Sequence, residues 1–154
     1  MTLVSLQPCF GFRVAIMPMR RHNQNLLQSR YSLLRPLASV TGQVYTDHDP
    51  KAPIITLYTK ESCTLCDKAK DVLLAIKDQH PHSLQQVDIT DREHREWWDR
   101  YKYDIPVLHI NDMYWTKHRL TTDDATKALM QAKDGKFQPQ SGQPNASAME
   151  RNKQ

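Results

Sequence analysis

Residues 54–66 read Ile54-Ile55-Thr56-Leu57-Tyr58-Thr59-Lys60-Glu61-Ser62-Cys63-Thr64-Leu65-Cys66. A β-branched and aromatic run, the pattern of a buried strand, leads straight into a Cys-x-x-Cys pair. Behind the pair, Leu65, Ala69, Val72, Leu73 and Ile76 recur at helical spacing. Asp67, Lys68, Lys70, Asp71, Lys77 and Asp78 fall on the outer side of that helix. The order strand, dithiol, helix sets Cys63 near the positive end of a helix dipole, which stabilises a thiolate and lowers a thiol pKa. A spacing of two residues brings Cys66 within reach, to close a disulfide or expel a mixed-disulfide partner. The stretch speaks of thiol–disulfide exchange.

Working outward, Ser62 or Thr64 is the expected cap of this helix and His80-Pro81 its end. Leu84 to Ile89 supplies a second strand, and a second helix is expected from about Asp91, as N-cap, to Tyr101. Trp97, Trp98 and Tyr101 give that helix an aromatic side, read as packing. Val107-Leu108-His109-Ile110, a turn at Asn111-Asp112 and Met113-Tyr114-Trp115-Thr116 form a hairpin. Thr121 to Lys133 is the last helix, capped by Thr121 or Thr122. The order β-α-β-α-β-β-α is that of an α/β sandwich, with its first two strands parallel through a right-handed crossover.

The 154 residues are 39% hydrophobic, and the periodic patterns are confined to 51–133. Residues 1–46 contain Arg13, Arg20, Arg21, Arg30 and Arg35 but no lysine and no acid. The net charge of +4 therefore belongs to the leader, and the rest of the chain is nearly neutral. No basic face is expected for counterion-releasing contacts with nucleic acid. An arginine- and serine-containing, acid-free leader has the composition of a mitochondrial transit peptide; without it the location is cytoplasmic. No apolar run is long enough to span a bilayer, so no membrane partner is expected. The domains read as a disordered leader at 1–50, a folded domain at 51–133 and a disordered tail at 134–154. Met17 and Met19 are alternative starts.

Cys9, Cys63 and Cys66 are too few for a secreted disulfide framework and suit a reducing compartment. Zinc would want four ligands, yet there is no second Cys-x-x-Cys, and the histidines lack a ligand spacing. A metal site is not expected.

Tyr58 to Cys66, followed by Asp104-Ile105-Pro106-Val107, resembles the thioredoxin superfamily, and most of all its glutaredoxin-like branch. The resemblance covers about residues 53–130. It implies a thioredoxin-like sandwich, a four-stranded mixed sheet with helices on both faces, acting as a monomeric thiol–disulfide oxidoreductase. It also implies that Cys63 is the nucleophile and Cys66 the resolving thiol. Pro106 would be cis, with the backbone of Ile105 pairing with substrate. Lys60, Thr122 and Asp123 would serve glutathione, and Arg119 would add charge. The partners implied are a disulfide-containing protein or a glutathione mixed disulfide. The resemblance implies no bound cofactor, with glutathione as the candidate reductant.

The chain departs from the family at three places. Thr64-Leu65 replaces the usual Pro-Tyr between the cysteines, and Asp104-Ile105-Pro106 replaces Thr-Val-Pro. Thr116 to Asp123 has no glycine where a Gly-Gly turn accepts the γ-glutamyl group. An acid at 104 is expected to raise the thiol pKa or repel glutathione's carboxylates. The missing glycine turn and the acid at 104 favour the alternative, a catalytically weak interaction module on the same fold. An iron–sulfur carrier, bridging a cluster through one cysteine and glutathione per protomer, fits less well with a second cysteine at 66.

Overall fold

Strand β2 (Ile54–Thr59) lies third in a five-stranded sheet of order β1-β3-β2-β4-β5. The computed structural model describes residues 39–153. β2 pairs in parallel with β3 (Ser83–Asp88), register Ile55 opposite Leu84 and Thr59 opposite Asp88. On its other side it pairs antiparallel with β4 (Val107–Ile110), which turns at Asn111 and Asp112 into β5 (Met113–Lys117). Helix α1 (Thr64–Ile76) makes the crossover from β2 to β3, and α2 (Arg95–Tyr101) joins β3 to β4 behind a 3-10 turn at Arg92–His94. Helix α3 (Thr122–Lys133) follows β5.

Strand alternation divides the core between the two faces of the sheet. Ile55, Leu57, Leu84, Leu108, Ile110 and Trp115 pack with Cys66, Leu73 and Ile76 of α1 and with Ala125, Ala128 and Leu129 of α3. On the opposite face Tyr58, Val107 and Tyr114 pack with Ile89, Tyr101, Trp97 and Trp98. The expected α/β sandwich, with its mixed sheet and helices on both faces, is what the chain forms.

The sheet differs from the expected four strands because β1 (Gly42–Tyr45) pairs antiparallel with β3. This strand falls inside the segment read as a disordered leader. Thr41 and Ser39 hold its entrance: both hydroxyls donate to the Asp91 carboxylate, at 2.7 and 2.6 Å, and lower its pKa. Asp91 therefore ties down the β1 approach and makes no side-chain cap for the 3-10 turn. The transit-peptide reading rests on residues that, through 38, lie outside those described.

The stretch read as a disordered tail also carries structure. Phe137 is buried in the α1/α3-side core, and the Gln140 amide donates to the Tyr114 carbonyl on β5. Helix α4 (Ala146–Arg151) then docks on α2 through fully buried Ala146 and a bond from the Ser147 hydroxyl to the Asp99 carbonyl. Tertiary contacts order a segment whose composition lacks periodicity.

Candidate functional site

The chain leaves β2 at buried Thr59 and exposed Lys60, then turns through Ser62, whose φ of 58° is in the left-handed region. That turn delivers Cys63, in extended conformation, as the N-cap of α1. Neither Ser62 nor Thr64 takes that place. The Cys63 Sγ accepts the Cys66 N–H at 3.3 Å, which uses one of the unpaired amides of the first helical turn. Cys63 and Cys66 form a disulfide, S–S 2.09 Å, with Cα atoms 5.2 Å apart. Cys63 is half-buried, whereas Cys66 is only 1% exposed. Attack from outside therefore has one accessible sulfur.

The Ile105–Pro106 peptide bond is cis, as expected. Ile105 and Cys63 both pack against the α1/α3-side core. Among the described residues the Ile105 N–H and C=O have no backbone partner, so they are free to pair with an extended chain.

Asp104, expected to act on the thiol, instead has its charge met by its own ion pair. Its buried carboxylate accepts a hydrogen bond from Lys117 Nζ, and His118 Nε2 lies 3.2 Å from the same oxygen. The other oxygen, Oδ2, is buried and without a partner among the described residues. His118, at φ 68°, donates its amide to the Pro106 carbonyl at 2.8 Å. The end of β5 is thereby fastened to the cis-proline loop. Sequence reading missed Lys117; the available signal was the hairpin, whose register puts Lys117 opposite Val107.

Between α1 and this β5–α3 connection lies a pocket of about 280 Å³. Leu65, Lys68 and Ala69 form one wall and residues 118–121 the other. Thr121 caps α3 by accepting the Asp124 amide at 3.2 Å. Thr122 and Asp123 are exposed on the first turn of α3 and do not line the pocket; nor does Lys60. The pocket faces a loop of side chains where the resemblance implied a glycine turn.

The aromatic residues of α2 are packing groups. Trp97 lies 4.5 Å from the Tyr58 ring and stacks on Tyr101, with Arg100 over its outer face. Lys102 is engaged by Glu150 of α4, at 2.8 Å.

A dithiol capping the first helix, a cis proline opening the antiparallel hairpin and this strand order define a thioredoxin-like protein with a Cys-x-x-Cys centre. The family model described as Glutaredoxin-like domain (DUF836) matches residues 54–130, and the chain belongs to that family. It is also similar to the glutaredoxin-like protein YDR286C homolog of Dictyostelium discoideum. The two are 29% identical over 73 residues, which cover 45% of this chain and 68% of that protein.

Proposed function

We propose that the protein is a dithiol oxidoreductase that reduces disulfides through Cys63 and Cys66. The observation that carries this reading is the asymmetry of the pair: a partly exposed sulfur at a helix N-cap, joined to a buried one. In the reduced protein, the first-turn amides and the dipole of α1 stabilise a Cys63 thiolate. That thiolate attacks a substrate sulfur. The substrate S–S bond breaks, a Cys63 mixed disulfide forms, and the first substrate thiol leaves with a proton.

Cys66 then gives up its proton and attacks the Cys63 sulfur. The 63–66 bond closes and the second substrate thiol is released, so two electrons have passed to substrate. Burial of Cys66 directs it to this one partner. The free Ile105 amide and carbonyl support strand-like docking of the substrate backbone. Two equivalents of a thiol such as glutathione, or a dithiol reductase, return the pair to its reduced form.

The test is reduction of a mixed disulfide with glutathione and, separately, with a thioredoxin-reductase system. Activity with one alone names the reductant. Cys63→Ser is expected to abolish turnover, and Cys66→Ser to accumulate the mixed disulfide. Equal, undiminished activity in both variants would overturn the reading.

A further inference from the structure

We propose that the pocket beside the dithiol is a side-chain subsite for a protein disulfide whose cysteine is flanked by an aliphatic residue and a carboxylate. The inference rests on the exchange reaction proposed above and names its substrate class.

The pocket adjoins the reacting pair through Leu65, although neither cysteine lines it. Leu65, 40% exposed, stands between the two cysteines, and Lys68 and Ala69 follow on the next turn of α1. The facing wall is held by the cis-proline loop, through the His118 amide on the Pro106 carbonyl and the His118 ring on Asp104. In the proposed complex, a chain bound as a mixed disulfide at Cys63 and paired with Ile105 extends toward this opening.

Its lining has two parts. Leu65, Ala69 and Leu120 provide apolar surface, which favours an aliphatic group over water. Lys68 and Arg119, both exposed, provide positive charge. Among the described residues neither has a carboxylate within 4.0 Å, unlike Lys70, Lys102 and Lys117, each of which has one. Of the acids near these cations in sequence, Asp67 is engaged with Lys70 and Asp124 with the Thr121 cap, while Asp71 and Asp123, both exposed, make no ion pair with either cation. Two free cations over an apolar surface select an acid next to an aliphatic side chain. The γ-glutamyl group of glutathione has carboxylate but no aliphatic side chain to cover Leu65 and Leu120. The structure therefore favours a peptide substrate.

The experiment uses reduced full-length protein and single-turnover reduction of disulfide-bonded peptides, with glutathione disulfide alongside. In each turnover the substrate S–S bond breaks and the Cys63–Cys66 bond forms. The peptides differ only in the two residues beside the cysteine: Leu with Glu, Leu with Lys, Gly with Glu, and Gly with Gly. The Leu–Glu peptide is expected to react on the order of tenfold faster than Leu–Lys, with the difference shrinking in high salt.

The double variant K68E/R119E is expected to invert the charge preference, with its thermal unfolding and tryptophan fluorescence showing a retained fold. Equal rates across the peptides, or glutathione disulfide reacting as fast as the Leu–Glu peptide, overturn the subsite and leave the exchange reaction standing. No reduction of any disulfide overturns the exchange reaction itself.

Discussion

The Asp104 carboxylate and the Lys117 ammonium meet across the base of the β4–β5 hairpin, with Asp104 buried and Lys117 about one-third exposed. The pair neutralises the one acid of the cis-proline loop and fastens that loop to the strand leading to the pocket. Breaking a buried pair from one side leaves an uncompensated charge, although exposure of Lys117 softens the effect.

Lys117→Met is therefore expected to destabilise the fold by about 2 kcal/mol, measured by urea unfolding. The double variant D104N/K117M is expected to recover part of the loss, since no buried charge is left behind. A Lys117→Met midpoint equal to that of the parent would show that the pair contributes nothing.

Exposure of the two sulfurs differs enough to be read chemically. In the reduced protein with Cys9 changed to serine, one equivalent of iodoacetamide is expected to label Cys63 at least about tenfold over Cys66, because the thiolate must also be accessible. Peptide mapping by mass spectrometry gives the ratio. Preferential labelling of Cys66 would reverse the assignment of nucleophile and resolving thiol.

What the sequence disclosed followed the range of the interactions involved. The strand, dithiol and helix at 54–76 are legible because alternation, helical periodicity and the turn are all local. Thr121 as cap and the turn at Asn111-Asp112 are local for the same reason. Strand β1 has only Gly42-Gln43-Val44-Tyr45, too short to show a period, and depends on pairing with β3 from a distance. The cap by Cys63 was missed because sulfur is not among the usual capping side chains. Asp104 looked like a charge aimed at the thiols because its partner lies 13 residues away on the returning strand. The pocket belongs to two segments more than 45 residues apart, α1 and the β5–α3 loop, which the sequence never shows side by side.

Two buried histidines set an acid limit on stability. His109 donates from Nδ1 to the Asp112 carbonyl at 3.2 Å and accepts the Tyr101 hydroxyl at Nε2, 3.0 Å away. His82 does the same between the His80 carbonyl and the Tyr45 hydroxyl. Burial lowers both pKa values, and the backbone bond at Nδ1 only partly opposes it. With folded values below the unfolded one, the unfolded chain binds more protons in that interval, so stability falls as pH drops below about 6.5. His109→Gln, and more so H82Q/H109Q, is expected to flatten the dependence of the urea midpoint on pH between 7 and about 5. An unchanged slope in the double variant would place the acid sensitivity elsewhere.

The C-terminal strap is expected to matter for the face opposite α1 and α3. Gln143 donates to the Tyr101 hydroxyl at 2.6 Å, which in turn donates to His109, so the tail completes a buried chain of hydrogen bonds. Farther on, Glu150 accepts from Lys102 and from the Tyr103 hydroxyl, at 2.9 and 2.7 Å, on the residues that lead into Asp104. These surface bonds are individually weak, whereas Ala146 and Tyr101 are fully buried. Ending the chain after Gln140 exposes the Tyr101 edge and removes one of its partners, with an expected cost of about 2–3 kcal/mol. Because Trp97 and Trp98 pack on this cluster, their fluorescence is expected to shift to the red in the truncated protein. Gln143→Ala alone is expected to cost about 1 kcal/mol, since the Tyr101 hydroxyl keeps its bond to His109. A truncated protein with the parent's stability and emission would mean that the strap merely rests on α2.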